Sequence, residues 1–371
     1  MSDPNTSGAP HGAGDRSGAV TAGLVCSHHH LYSSLARGMP APPVQPKNFL
    51  QILQQVWWRL DAALDHEMLR WSAMLGAVEA LQCGTTAIVD HHEGPSCIEG
   101  SLSIIAAACA EVGVRVNCCY GITDRWTDGG KLLVGFDDPP SSMTDAARRG
   151  LDESVEFIRG GGRGMIGVHA AFTCSDETLA AAASTASDLG VPVHIHVAEG
   201  AIDERAGRRL AKVAADDWLL VHTVHLRDQL PGVVVHNARS NMNNAVGYAK
   251  PTLRVNPVAL GTDGIGADML EEFRIAFARL REYDVTASPD TVWGWLEEGR
   301  RWFPETAADT VTWNYEHAAS PWHVAYTPGI RAERIVVDGA VVLDNGLPTR
   351  VDITEVKAKA AEQAARLFAL L

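Results

Sequence analysis

Short apolar runs rich in β-branched residues alternate along this chain with segments whose apolar residues recur every three or four positions. Such runs predict buried strands, and the longer spacing predicts amphipathic helices. Eight strand-like runs lie between residues 24 and 264: LVC, TTAIVDHH, VRVNCCYGI, MIGVHAAFT, VPVHIHVAE, WLLVHTVHL, GVVVHNARSN and NPVALGTDG. Eight strands alternating with helices predict parallel βα units, and hence an α/β fold of the (β/α)8 TIM-barrel type.

The predicted helices occupy most of the segments between these runs. They cover residues 48–82, 100–112, a stretch ending near 158, 176–189, 203–214 and 268–283. The connections from the sixth to the seventh run and from the seventh to the eighth are too short or irregular for standard helices. We therefore expect a distorted barrel.

Three regions are predicted along the chain. Residues 1–20 are rich in Gly, Ser, Pro and Asp and have no periodic apolar pattern, which is typical of a flexible tail. Residues 21–300 are assigned to the barrel. Residues 301–371 form a C-terminal segment with predicted strands over 334–346 and a terminal helix over 355–371.

Composition narrows the choice of partner. The 371 residues are 46% hydrophobic and 20% charged, which is the balance of a soluble globular protein. A net charge of -14 disfavours nucleic acid and anionic membranes. Seven cysteines without CxxC spacing, and the lack of a secretory signal, indicate a reduced, cytoplasmic protein. The predicted partner is a small molecule, and assembly into a homo-oligomer stays open.

Histidine or aspartate stands at or just beyond the C-terminal end of nearly every predicted strand. The C-terminal strand ends of a barrel meet on the face where its active site is built. On a single strand, two hydrogen-bonded core histidines would be an equally good interpretation. Their recurrence at one end favours a shared site, and imidazole with carboxylate suits a catalytic metal. The residues concerned include His28, His30, His169, His194, His196, Glu199, His222 and Asp263.

The words HHHLYS, HAAFTCS, HIHVAE, LVHTVHL, HNARSNMNNAVG and LGTDG occur in this order from about Gly23 to Tyr283. In this order they resemble the amidohydrolase superfamily, and within it the aminohydrolases that deaminate purines, pterins and related heterocycles. The longer words HHHLYSSLARGM, WWRLD and NMNNAVGYA look most like the SsnA-like aminohydrolases.

The resemblance implies a metal centre. By position, His28, His30, His196 and Asp263 would bind one divalent metal ion, for which zinc is expected and iron is also compatible. Two-metal members of the superfamily use a lysine at the end of the fourth strand. Here that strand ends in His169 without a nearby lysine, which favours a single ion.

The resemblance also implies catalytic roles. The metal would lower the pKa of a bound water, while His222 and Asp263 would deprotonate and orient that water. Glu199 would protonate the ring nitrogen beside the attacked carbon, and His169 would hydrogen-bond the substrate. The predicted function is hydrolysis of a non-peptide C–N bond, foremost deamination of a purine, pterin, pyrimidine or triazine ring.

Two alternative functions and two structural questions stay open. The same site could expel chloride or open a cyclic amide, or the chain could be a truncated, catalytically silent homologue, although its intact motif set argues against silence.

Family members usually begin with strands that build half of a small β-sandwich, where this chain has its Gly/Ser-rich tail. Either the start codon is assigned too late or the sandwich is reduced, so we expect an incomplete sandwich. Trp57, Trp58 and the loop at Asp124 and Arg125 could line the pocket, or serve only in packing and as surface.

Overall fold

Fourteen strands form within the residues that the computed structural model describes, which are 18–127, 130–132 and 141–371. In chain order they are β1 (Val20–Thr21), β2 (Leu24–His30), β3 (Thr85–His92), β4 (Arg115–Ile122), β5 (Ile166–Ala170), β6 (Val193–Val197), β7 (Leu219–His222), β8 (Val233–His236), β9 (Val258–Leu260), β10 (Asp263–Gly264), β11 (Thr310–Trp313), β12 (Ala332–Val337), β13 (Ala340–Asp344) and β14 (Leu347–Pro348). Most of the predicted tail lies outside the described residues.

Twelve α-helices accompany these strands in the described part of the chain. They are α1 (Phe49–Ile52), α2 (Trp58–Ala63), α3 (His66–Gln82), α4 (Ser101–Val112), α5 (Asp145–Arg159), α6 (Asp176–Leu189), α7 (Ala206–Leu210), α8 (Ala238–Asn243), α9 (Met269–Tyr283), α10 (Pro289–Glu298), α11 (Pro321–Tyr326) and α12 (Ile353–Phe368). Local chemistry sets several of their ends. Asp65 accepts a hydrogen bond from the Met68 amide at the start of α3, and Gly190 ends α6 in the left-handed conformation.

Strands β2 to β9 pair in sequence order as parallel neighbours. The eighth strand of the barrel is broken: β9 pairs with β8, whereas β10 pairs with β2 through Asp263 and His29. Backbone hydrogen bonds continue across the break, from the Gly261 amide to His236 and from the Thr262 amide to His28. The sheet therefore closes, and the predicted TIM-type barrel is confirmed. Its distortion lies where it was expected: among the described residues no helix lies between β7 and β8, and the longest helix between β8 and β9 is the six-residue α8.

Both faces of the barrel strands are buried, as expected of a parallel sheet covered by helices. Leu24 and Cys26 belong to the large apolar cluster that includes residues of α3, α4 and α9. Val25, between them, belongs to a separate cluster that also holds Trp302 and Phe303. This period of two places alternate side chains on opposite faces of the sheet.

An antiparallel sheet of β1, β11, β12, β13 and β14 forms the appendage. The predicted strands over 334–346 are the hairpin of β12 and β13, joined by Asp338 and Gly339, both with positive φ. The pairing of β1 with β11 was not predicted, and it places Val20 in a strand although the sequence assigned it to the tail. The predicted domain division at residue 300 stays a prediction. Within the described residues, no helix has both the length and the apolar character to cross a bilayer.

Candidate active site

Three strand ends place four polar side chains around one point. His28 and His30 come from β2, His196 from β6 and Asp263 from β10. One ligand atom of each lies within 4.8 Å of the others. The Asp263 Oδ1 atom is 3.3 Å from His28 Nε2 and 3.0 Å from His30 Nε2, and the Nε2 atoms of His30 and His196 are 3.3 Å apart. These are the four residues for which a metal-binding role was predicted.

The other ring nitrogen of each histidine is held by a neighbour. His28 Nδ1 lies 2.8 Å from His194 Nε2, His30 Nδ1 lies 2.6 Å from the His91 carbonyl, and His196 Nδ1 lies 2.7 Å from the His169 carbonyl. A carbonyl only accepts hydrogen bonds, so His30 and His196 carry their hydrogens on Nδ1 and turn Nε2 lone pairs inward. His28 Nε2 is buried with no hydrogen-bond partner. Converging lone pairs beside a carboxylate repel one another unless a cation lies between them, so this donor set fits a divalent metal.

The electrostatics of these groups favour positive charge at their centre. Burial alone would raise the pKa of Asp263, but the His28 and His30 imidazoles beside its carboxylate hold it well below its usual range. Burial opposes protonation of His30 as well, yet the Asp263 carboxylate attracts positive charge strongly enough to raise the pKa of His30 to about 9, so a bound metal ion would displace that proton from Nε2. Burial keeps the pKa of His196 well below its ordinary value. A divalent ion would supply the positive charge that this site attracts.

Glu199 and His222 lie beside Asp263. His222 Nε2 is 3.4 Å from Glu199 Oε2 and 3.8 Å from Asp263 Oδ2, and it has no hydrogen-bond partner. His222 Nδ1 is 2.8 Å from the amide oxygen of Asn241, while Asn244 donates to Glu199 Oε1 at 3.2 Å. Burial raises the pKa of Glu199 to about 7, so this carboxyl can both give and take a proton near neutral pH.

Left-handed backbone recurs at the strand ends that carry these groups. Ala198, directly before Glu199, has φ of 48°, His222 has φ of 69° and Asp263 has φ of 59°. Non-glycine residues adopt this conformation at a cost, and they cluster at functional sites where surrounding contacts hold them. One such contact comes from Ser240 in α8, whose hydroxyl donates to Asp263 Oδ2.

A pocket opens in front of these residues. Its lining includes the predicted site residues His30, His169, His196, Glu199, His222 and Asp263. An apolar part of the wall comes from Phe49, Leu53, Trp57, Trp58 and Phe172. Both tryptophans thus line the pocket, whereas the sequence favoured packing for them. His169 Nδ1 is 2.6 Å from Thr173 Oγ1, so its Nε2 is the ring nitrogen left for other contacts.

A buried charge cluster borders the pocket and was missed by the sequence reasoning. The fully buried Arg125 donates to Asp61 at 2.9 Å and to Glu93. Its guanidinium lies between the rings of Trp58 and Trp126, at 5.0 and 4.9 Å from their centroids. Asp61 and Glu93 line the pocket. Glu93 directly follows a strand ending in histidines, so its position was a usable signal, but nothing local pointed to Asp61.

Asp124, which was predicted together with Arg125 as part of a loop near the pocket, has a structural role. Asp124 accepts hydrogen bonds from the amides of Thr144 and Ser175, both at 2.7 Å, and joins the segments before α5 and α6. It does not appear among the residues that line the pocket. Of the histidines without an assigned role, His194 supports His28, while His92 packs between Tyr32 and Tyr120.

Comparison with known proteins identifies the family of this chain. The profile of the amidohydrolase family matches residues 19–292, and the chain belongs to this family. It is 28% identical to a 5'-deoxyadenosine deaminase of Methanopyrus kandleri, covering 94% of this chain and 86% of the relative. It is 27% identical to a 5-methylthioadenosine/S-adenosylhomocysteine deaminase of Desulforudis audaxviator, covering 95% and 88%. The predicted family resemblance is confirmed.

Solved structures share the architecture. An adenosine deaminase from Xanthomonas campestris with bound zinc has a TM-score of 0.77 at 21% identity, over 95% of this chain and 86% of that one. An atrazine chlorohydrolase from Arthrobacter aurescens in complex with zinc has a TM-score of 0.75 at 17% identity, over 93% and 88%. These likenesses support the barrel and its appendage.

Proposed function

We propose that this protein is a metal-dependent aminohydrolase that hydrolytically removes the exocyclic amine of an adenosine-type nucleoside. The observation that carries the proposal is the convergence of three imidazoles and one carboxylate beside the Glu199 and His222 pair. The predicted class, deamination of an aminated heterocycle, agrees with the names of relatives that align over almost the whole chain.

A single metal ion would be held by His28, His30, His196 and Asp263, the set with suitable ligand atoms. When bound, the ion supplies an activated water as nucleophile at neutral pH. We propose zinc rather than iron, because mixed imidazole and carboxylate ligands suit zinc and similar structures contain it.

The protein's own groups would move the protons. His222 Nε2 and Asp263 Oδ2 are acceptors 3.8 Å apart, so water between them can lose a proton to either one. Glu199, whose pKa burial raises to about 7, would deliver a proton to the ring nitrogen next to the attacked carbon and then to the departing amine. His169, which also lines the pocket, would hydrogen-bond the substrate.

The pocket wall favours a neutral substrate. Among the described lining residues, Arg239 is the one arginine or lysine, and its guanidinium already donates to three backbone carbonyls. A phosphate group would therefore enter a pocket lined by several carboxylates, in which Arg239 is already engaged by the backbone, in a chain of net charge -14. The aromatic wall at Trp57 and Phe172 instead suits an apolar substituent on the sugar, as in 5'-deoxy- or 5'-methylthioadenosine.

The test is ammonia release by metal-loaded protein from a panel of compounds. The panel contains 5'-deoxyadenosine, 5'-methylthioadenosine, adenosine and adenosine monophosphate, together with a chlorinated triazine and a cyclic ureide. We expect ammonia from the nucleosides and none from the monophosphate. Turnover of only the triazine or the ureide, without ammonia from any aminated ring, would make deamination the wrong reaction.

A further inference from the structure

The backbone around Asp263 adopts an unusual conformation. Asp263, Ile265 and Gly266 have φ of 59°, 61° and 88°, so three of four successive residues are left-handed. For Asp and Ile, which carry a Cβ atom, this conformation is unfavourable. Such a conformation persists only where neighbouring groups hold it. The segment of residues 262–266 is also where β10 closes the barrel against β2.

One arginine holds most of this segment. Arg239 Nη2 donates to the carbonyl of Thr262 at 3.1 Å, to that of Gly264 at 3.1 Å and to that of Gly266 at 3.3 Å. These carbonyls flank Asp263 on both sides. All three contacts are made by one nitrogen, so the two hydrogens of Nη2 are shared among the three carbonyls. Arg239 is only partly exposed, and its charge faces the buried Glu272 carboxylate at 3.8 Å.

A histidine of β2 holds the Asp263 carbonyl, which Arg239 does not contact. His29 Nδ1 lies 2.6 Å from the Asp263 carbonyl oxygen, and the buried His29 therefore donates to it. The Ile265 amide donates to Ser33 Oγ at 2.9 Å. Side chains from two other parts of the chain thus hold the backbone of this segment on both sides of Asp263.

We propose that Arg239, together with His29, is a positioning residue that fixes the Asp263 carboxylate for metal binding. This inference rests on the proposed function, because it takes Asp263 as a metal ligand. Arg239 and His29 touch the backbone rather than the carboxylate, so their effect passes through the conformation of residues 262–266. Loss of either set of hydrogen bonds lets the segment relax toward ordinary backbone angles and turns the carboxylate away from His28 and His30.

The experiment measures metal affinity directly. Wild type, Arg239→Lys and Arg239→Met are loaded with cobalt, and the dissociation constant is obtained by competition with a chelator. Loss of groups that support a ligand typically weakens metal binding by about 10- to 100-fold. We expect that loss in Arg239→Met, together with a changed cobalt absorption spectrum. We expect a smaller loss in Arg239→Lys, which keeps the positive charge and N–H donors but on a side chain of different length and shape.

Two further variants separate positioning from general destabilisation. Arg239→Met with Glu272→Gln removes the buried charge that the single variant leaves behind, so it keeps the metal-free fold comparable to wild type. Arg274→Met is the matched control, because Arg274 also donates to a backbone carbonyl, that of Thr327 at 3.2 Å, outside the pocket lining. We expect weakened cobalt binding in the double variant and unchanged binding in the control.

The outcomes distinguish this inference from the proposed function. A wild type without tight metal, or a His196→Ala variant that keeps its metal, overturns the proposed metal site and the positioning role with it. Tight metal in wild type and loss in His196→Ala, with unchanged affinity and spectrum in both Arg239→Met variants, overturns the positioning role alone. Equal weakening in Arg274→Met also overturns it.

Discussion

Replacement of Glu199 by glutamine removes one proton-transfer group and almost nothing else. Glutamine has nearly the same shape, and its amide oxygen can still accept the hydrogen bond from Asn244, 3.2 Å away in the native protein. Its amide nitrogen would face His222 Nε2, which is 3.4 Å from Glu199 Oε2 and has no other partner. We therefore expect Glu199→Gln to fold and to keep its metal.

The substitution is expected to lower kcat. With a pKa of about 7, the Glu199 carboxyl is present in both protonation states at neutral pH, so it can donate to the ring nitrogen and recover its proton. A positioned acid-base group contributes about 100- to 10,000-fold in rate, which is about 2.7 to 5.4 kcal/mol of barrier. An amide cannot titrate in this range, so all of this contribution is lost.

The assay is ammonia release under saturating nucleoside, with the metal content of each sample measured in parallel. Glu153→Gln is the control, because Glu153 is also a buried carboxylate but accepts from the amides of Gly100 and Leu102 outside the pocket lining. We expect its kcat to match wild type. Retention of wild-type kcat by metal-loaded Glu199→Gln would refute the proton-transfer role. Loss of metal from this variant would refute the expectation that Glu199 is not needed for metal binding.

Three further predictions follow from the same geometry. His196→Ala should lose the bound metal that elemental analysis finds at about one ion per wild-type chain, because it removes one of four ligands; full occupancy would contradict the ligand set. Arg125→Met should lower the free energy of unfolding by about 3 to 5 kcal/mol, since it leaves the buried Asp61 and Glu93 carboxylates without their cation. In denaturant titrations, a change under 1 kcal/mol would contradict this. Burial raises the pKa of Asp203 to about 7, whereas the pKa of an aspartate in an unfolded chain is about 3.9. Between these two pH values the folded state therefore binds one proton more than the unfolded state. The free energy of unfolding falls as the pH rises through this range, by up to about 1.4 kcal/mol per pH unit. Asp203→Asn should therefore lose less in Tm than wild type between about pH 5 and about pH 8, and an equal loss would contradict the argument.

Much of the site could be predicted from the sequence because its components are local to single strands. Two histidines two positions apart on a strand share a face, which relates His28 to His30 without any knowledge of the fold. In a parallel barrel, all C-terminal strand ends meet on one side, so His196, His222 and Asp263 were expected near them once eight strands had been counted. Periodicity and barrel topology together therefore determined which residues would be neighbours.

Contacts between distant segments were decided only by the tertiary structure. Arg125, Asp61 and Glu93 meet from three separate segments, and no local pattern distinguishes their carboxylates from those on the surface. The same holds for Arg239, which reaches across to residues 262–266, and for β1, two residues long, which pairs with β11 almost three hundred residues away. The free energy of such contacts comes from burial and hydrogen bonds formed after the barrel has closed. The spacing of residues in the sequence shows which side chains of one strand share a face. It does not show which side chains from distant segments will contact that face in the folded core.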